Sequence, residues 1–194
     1  MITFIYSTVN AGKSANLLMR AHSCETSNIP YQMFIPEICA KRDGQSQITS
    51  RTGFTAEAQS IKPTDRLYPL QDHTTRVVFV DEAQFLTKEQ VFDLCKISST
   101  GVMIYAFGLR TDFQGEPFEG SKYLLAWAEN IEEITTFSRG VSGDTDKAIF
   151  NVKLDSQGRW TRSGESKDVG FHYLPVSLRE FFTLMKNTQD LRED

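Results

Sequence analysis

Ser7-Thr8-Val9-Asn10-Ala11-Gly12-Lys13-Ser14 has the residue types and spacing of a phosphate cradle. The segment matches G-x-x-x-x-G-K-S/T, except that Ser7 stands where the first glycine is usual. Gly12 permits a tight turn in which successive backbone N–H groups point at phosphate oxygens. A helix starting there adds the partial positive charge of its N-terminus. The Lys13 ammonium would neutralise the β and γ phosphates, and the Ser14 hydroxyl would ligate Mg²⁺. A Gly-Lys-Ser also falls by chance in βα turns. The apolar strand before this one and the helical pattern after it weigh against chance.

Asp81-Glu82 is the second constellation. It ends a β-branched run at the place of a Walker B element. In a parallel sheet that carboxyl end opens toward the same crevice as the phosphate loop. Asp81 can then hold Mg²⁺, directly or through water. Glu82 need not point the same way, and a carboxylate there could take a proton from an attacking hydroxyl or water. Alone, the pair can also be read as an acidic turn before a helix, a reading that weakens beside the phosphate loop. Together the two segments imply Mg-nucleoside triphosphate chemistry. They leave open whether the acceptor is water or a substrate hydroxyl, so a motor and a kinase look alike to this point.

These groups need a scaffold that brings strand ends together, and the pattern supplies one. Residues 2–6 read as a short apolar strand, and 14–23 as a helix with Leu17, Leu18 and Ala21 on one face. Residues 31–35 read as a second strand. Residues 36–63 show little periodicity and many Gly, Ser, Thr and Gln, which predicts mostly mobile loop. Residues 76–80 lack alternation, as in a strand buried on both faces. Thr87 and Gln90 form a T-x-x-Q capping box for a helix to about residue 98. A strand at 102–107, a helix at 121–130 and a strand at 131–136 complete a doubly wound α/β order. Beyond Phe137 the pattern changes: 148–154 alternates like a hairpin strand, 155–158 is its turn, and 177–187 is a short helix. The expected division is a nucleotide-binding core at 1–135, a small lobe at 136–187 and a frayed tail at 188–194.

Composition narrows the partners. The 194 residues fit one domain, or one domain plus a small lobe. With 21 Lys and Arg against 25 Asp and Glu, the net charge is −4, which disfavours a surface that wraps nucleic acid. Cys24, Cys39 and Cys95 are odd in number and include no C-x-x-C, which argues against a disulfide framework or a cysteine zinc site. No secretory pattern or apolar run of membrane-spanning length is seen, so a cytoplasmic protein without membrane partners is expected.

At Asp81-Glu82-Ala83-Gln84-Phe85-Leu86 the chain resembles the thymidine kinases of the cellular and bacterial type, also carried by phages. The phosphate loop resembles theirs, Ser7 included. Ser50-Arg51-Thr52-Gly53 resembles their S-R-x-G segment. Gly108-Leu109-Arg110-Thr111-Asp112-Phe113-Gln114-Gly115-Glu116-Pro117-Phe118 resembles a long family stretch, continued by Gly120-Ser121-Lys122-Tyr123-Leu124-Leu125-Ala126. The resemblance is good over residues 2–133 and alignable to about 185.

The resemblance implies a P-loop, RecA-like parallel sheet flanked by helices, with a small C-terminal lasso lobe. It implies transfer of the ATP γ-phosphoryl group to the 5′-hydroxyl of thymidine. Residues 7–14, Asp81 and Gln84 would bind ATP, with Mg²⁺ on Ser14 and Asp81. Glu82 matches the catalytic base, and Lys13 and Arg42 complete the catalytic set. Phe85, Leu109, Phe113 and Phe118 match residues lining the thymidine pocket, whose apolar faces suit a methylated pyrimidine. Taken singly, each reads better as ordinary core. Val169, Gly170 and Tyr173 fall where the lasso wraps the base. A homotetramer and feedback inhibition by dTTP are implied as well.

The chain departs from the family in the small lobe. Members usually hold a structural zinc there, through a close cysteine pair and a later Cys-x-x-His. Phe137, Ser138 and Arg139 replace the first pair, and Ser177 and Glu180 stand at the second. No cysteine follows Cys95, so no zinc is expected. Ser177-Leu178-Arg179-Glu180 reads instead as a capping box, with Phe137, Phe181 and Phe182 as apolar packing. Ala40 stands where Asp is common two residues before Arg42, and Val9 where Met is usual. The alternatives are a deoxynucleoside kinase of shifted base preference, a RecA-like ATPase acting on nucleic acid, and a non-catalytic nucleotide binder. Acidic charge weighs against the second, and retained Lys13, Ser14, Asp81 and Glu82 against the third.

Overall fold

The computed structural model describes residues 1–40, 46–139, 146–162, 164 and 172–189. Strand β1 (Ile2–Ser7) leads into helix α1 (Lys13–Thr26) and strand β2 (Tyr31–Pro36). The described residues of 36–63 are not mostly loop. They hold a short helix α2 (Glu37–Ala40), a hairpin of β3 (Gln47–Thr49) and β4 (Thr55–Glu57), and β5 (Gln59–Ile61). β5 joins the central sheet at its edge, where Gln59 and Ser60 need no apolar partner on both faces.

Helix α3 (Leu67–Leu70) precedes β6 (Val77–Val80), a 3-10 turn (Ala83–Phe85) and α4 (Lys88–Ser99). β7 (Met103–Leu109), α5 (Glu119–Trp127) and β8 (Asn130–Glu133) follow. The sheet order is β5-β2-β6-β7-β1-β8, and every pairing is parallel.

Alternate side chains of the central strands feed two separate cores. Val78 and Val80 of β6 join Phe4, Ile104, Val91 and Leu94 beneath α4 and α5. Val77 and Phe79 join Ile5, Phe107, Leu17 and Leu18 beneath α1. Burial on both faces is why these strands read as continuous apolar runs. Phe79 is fully buried, and burial of one such side chain contributes about 2–3 kcal/mol. The expected cap of α4 is present. Gln90 N–H donates to Thr87 Oγ1 at 3.3 Å, and Thr87 N–H donates to Gln90 Oε1 at 3.1 Å.

The remaining elements are β9 (Phe150–Leu154), β10 (Trp160–Thr161), β11 (His172–Val176) and α6 (Leu178–Gln189). They form a three-stranded antiparallel sheet, β10-β9-β11, covered by α6. The turn at 155–158 closes with Gly158 N–H on the Asp155 carbonyl at 3.0 Å. β11 escapes sequence reading because Pro175 demotes a strand; here it lies on an edge, where a missing N–H is tolerated. Phe150 and Phe181 stack with centroids 4.1 Å apart. Gly115, at φ 87°, lets the 111–117 loop approach that stack: a β-carbon there would lie 3.2 Å from the Phe181 ring. Among the described residues, no helix is long and apolar enough to cross a membrane.

Candidate active site

The parallel register aligns the carboxyl ends of the central strands. Ser7 pairs with Leu109, and Val80 with Ala106. The loop leaving β1 is tightly wound: Asn10 lies at φ 64° and Gly12 at φ 83°. Gly12 caps α1 without a side chain, leaving the first N–H groups of the helix free of a side-chain cap. Lys13 turns back over the loop, donating from Nζ to Ser7 Oγ and to the Thr8 carbonyl, each at 3.1 Å. Ser7 Oγ in turn donates to that carbonyl at 2.8 Å. The serine in the first-glycine place thus cradles the lysine, using one donor and one lone pair. Burial lowers the Lys13 pKa, the Glu82 and Asp81 carboxylates raise it, and the nearby Arg51 charge adds to the lowering.

Ser14 Oγ donates to Asp81 Oδ2 at 2.8 Å, so the two proposed Mg²⁺ ligands are already adjacent. The other Asp81 oxygen accepts the Glu82 N–H at 3.0 Å. Burial, then the Glu82 charge, pushes the Asp81 pKa up to about 7; the Ser14 hydroxyl, the Glu82 N–H and Lys13 oppose the rise. A cation bound there would relieve a carboxylate that pays heavily for ionising in a dry site.

Glu82 lies at φ 51°, a left-handed conformation rare for a residue with a β-carbon. Strain of this kind persists where surrounding contacts enforce it. Here Gln84 Nε2 donates to Glu82 Oε2 at 2.5 Å, while Gln84 Oε1 accepts the Leu109 N–H at 3.0 Å. Gln84 is buried, and both ends of its amide are engaged inside the protein. Gly108 leaves room for it: a β-carbon there would lie 2.9 Å from Gln84 Oε1.

The expected pocket residues form two aromatic pairs. Phe85 and Phe118 meet edge-on at 5.5 Å, and Phe113 meets Tyr173 of β11 at 6.4 Å. Phe113 is almost fully buried, and Lys153 Nζ lies 5.3 Å over its ring. Leu109 is partly buried, with its carbonyl held by Ser121 Oγ at 2.5 Å. Asp112 shapes the loop between them by accepting the N–H groups of Gln114 and Glu116. A cavity of about 250 Å³ opens on Phe85, with Pro36, Ile38, Ile61 and Pro63 on its walls. Arg42, Val169 and Gly170 lie outside the described residues.

Two residues near the loop carried no role in the sequence reading. Arg51, in the turn between β3 and β4, acts electrostatically on Lys13. Asn151, buried in β9, accepts the Val9 N–H at 2.8 Å. A polar residue between Phe150 and Val152 was its only signal in the sequence.

A parallel sheet, a Gly-Lys-Ser loop at the first strand end and a carboxylate facing the loop serine define a P-loop α/β protein built for nucleoside triphosphates. The family model described as thymidine kinase matches residues 1–170. The thymidine kinase of Pasteurella multocida is 38% identical, over 86% of this chain and 88% of its own. That of Coxiella burnetii is 36% identical over 96% of both chains, and that of Xanthomonas oryzae pv. oryzae is 36% identical over 94% and 90%. The chain belongs to the thymidine kinase family.

Proposed function

We propose that the chain transfers the γ-phosphoryl group of ATP to the 5′-hydroxyl of thymidine, giving dTMP and ADP. The family supports the reaction. The observation that carries it in this chain is the hydrogen bond between Ser14 and Asp81 beside the buried Lys13. Ser14 and Asp81 offer the hard oxygen donors that suit Mg²⁺, which when bound neutralises charge on the phosphates. Lys13 and the N-terminus of α1 bind the triphosphate, and Arg42 is assigned to the transferring phosphate by the family resemblance alone. Glu82 takes the proton of the 5′-hydroxyl. Gln84, grouped with the ATP-binding residues, serves the site by holding the Glu82 carboxylate. Phe85, Leu109, Phe113 and Phe118, with Val169, Gly170 and Tyr173, enclose the base. No covalent intermediate is needed, because positioning and charge stabilisation carry phosphoryl transfer.

The proposal includes a core at 1–135, a lasso lobe at 136–187 and a tail at 188–194. It also includes a lobe tied without zinc. Ser138 Oγ donates to Glu180 Oε2 at 3.0 Å and accepts the Ser177 N–H at 3.1 Å. Glu180 N–H donates to Ser177 Oγ at 3.2 Å. Two hydroxyls and a carboxylate do not fit a structural zinc, which prefers thiolate and imidazole. A homotetramer under dTTP feedback rests on the family resemblance, and work in the cytoplasm rests on the sequence pattern.

The test is product formation from ATP-Mg with thymidine, deoxyuridine and deoxycytidine in parallel, with Lys13→Ala as control. dTMP from wild type and none from the control is expected. Faster turnover of deoxyuridine or deoxycytidine would assign a shifted base preference. ATP hydrolysis stimulated by DNA, without any monophosphate, would replace the kinase by a motor.

A further inference from the structure

The phosphate loop is held from two sides. Lys13, Ser7 and Thr8 tie it from within the core. On the other side the contact comes from the antiparallel sheet: Asn151 Oδ1 accepts the Val9 N–H at 2.8 Å, across 142 residues of sequence. Asn151 is 3% exposed and flanked by Phe150 and Val152. Burying an amide at such a place is unfavourable unless it makes a hydrogen bond. Its carbonyl oxygen makes that bond to the loop.

Two further observations lie at the same seam. Asn10, next to Val9, sits at φ 64°, in the left-handed region that few side chains other than Asn and Asp adopt readily. A cavity of about 10 Å³ is lined by Ser7, Thr8, Arg110, Thr111 and Asn151. The buried Thr8 hydroxyl has no protein partner among the described residues. The space and the polar lining suit one bridging water, which would extend the same tie.

We propose that Asn151 is a positioning residue for the phosphate loop, fixing Val9 and with it the left-handed turn at Asn10, so that the following N–H groups stand ready for the triphosphate. The inference rests on reading residues 7–14 as the ATP site. It makes the small sheet a support of ATP binding, and by linkage ATP binding supports the small sheet.

The experiment compares wild type with Asn151→Ala, Asn151→Asp and Val152→Ala. Aspartate keeps the acceptor oxygen. Val152→Ala loosens the same sheet without touching the loop. KM values for ATP-Mg and for thymidine, kcat, thermal midpoints and exchange of the Val9 amide by NMR are measured. Asn151→Ala is expected to raise the KM for ATP about fivefold, the scale of one lost hydrogen bond, with kcat and the thymidine KM within twofold. Val9 amide protection is expected to fall in Asn151→Ala and to persist in Asn151→Asp. Val152→Ala is expected to lower the thermal midpoint yet leave the ATP KM within twofold. An equal rise in ATP KM in Val152→Ala would reduce Asn151 to general lobe stability. A rise in thymidine KM alone would move it to the nucleoside pocket. Unchanged ATP KM and Val9 protection in Asn151→Ala would end the inference while leaving the ATP site standing. Wild type that does not bind ATP-Mg would remove both.

Discussion

Gly120 presses against the backbone of Ala83: a β-carbon on Gly120 would lie 2.3 Å from the Ala83 carbonyl oxygen. The Gln84 and Leu86 carbonyls would each be 3.0 Å away. Helix α5 therefore packs its first turn on the 3-10 turn that follows Glu82 and contains Phe85. Carbonyls of a tight turn cannot swing aside as a flexible side chain can. Gly120→Ala must push the turn away, at the scale of core overpacking, about 1–3 kcal/mol. The expected result is a thermal midpoint lowered by roughly 3–10 °C and a turnover lowered at least ~10-fold, because Glu82 moves with the turn. A β-carbon on Gly108 would lie 2.9 Å from Gln84 Oε1, which can yield by releasing Glu82, and 3.0 Å from the Gln84 backbone nitrogen, with no contact as short as the 2.3 Å at Gly120. Gly108→Ala should cost less stability for a comparable loss of turnover. Calorimetry and steady-state kinetics on both variants check the contrast. Equal stability loss would count against it.

Glu82→Gln separates proton removal from ATP binding. The amide keeps the shape of the side chain and can still accept from Gln84. It cannot take a proton from a hydroxyl. ATP affinity by titration calorimetry should stay within about twofold, while turnover falls at least ~100-fold, the scale of a lost general base. Turnover like that of wild type would remove Glu82 from the mechanism.

Both chemical segments and the sheet that carries them were legible because each has a local signature. The Gly-Lys-Ser loop is contiguous, Asp81 ends a strand buried on both faces, and the α4 cap lies within four residues. What escaped depends on partners far along the chain. β5 is a polar edge strand recognisable only beside β2. β11 contains Pro175 and is a strand only because β9 runs beside it. Ser177 caps α6 as expected, yet the Glu180 carboxylate meets Ser138 and the Ser177 N–H meets the same hydroxyl, so a third residue interrupts the reciprocal box. Asn151 meets Val9 only after the small sheet has folded back on the loop.

The Ser138–Glu180 contact predicts a lobe indifferent to metal. Elemental analysis of purified protein should find well under one zinc per chain, and chelator should leave the thermal midpoint unchanged. Glu180→Ala removes a hydrogen bond to a charged acceptor, a class contributing about 1.5–3 kcal/mol. Its midpoint should fall by roughly 4–10 °C, and added zinc should not restore it. Stoichiometric zinc, or a midpoint that drops on chelation, would show that other residues bind the metal.

Asp93 fixes the acid limit of stability outside the site. It is buried in α4, accepting Arg66 Nε at 2.7 Å, Arg66 Nη2 at 2.5 Å and the Leu67 N–H at 3.0 Å. Burial alone would raise its pKa. The Arg66 hydrogen bonds and charge and the Leu67 and Tyr68 N–H groups outweigh it, so the carboxyl stays below its ordinary range. The unfolded chain then takes up a proton before the folded one does as the pH drops. The stabilisation is therefore fully present above the ordinary carboxylate pKa of about 4 and is lost as the pH falls through the lower folded value. Asp93→Asn should lower the thermal midpoint by roughly 5 °C at pH 7, since it breaks a pair anchored on one buried partner. The gap between variant and wild type should shrink from about pH 5 downward, as wild type loses what the variant already lacks. Melting curves recorded across that range decide it: a gap that stays constant to pH 3 would mean that the ionised carboxylate is not what holds α3 to α4.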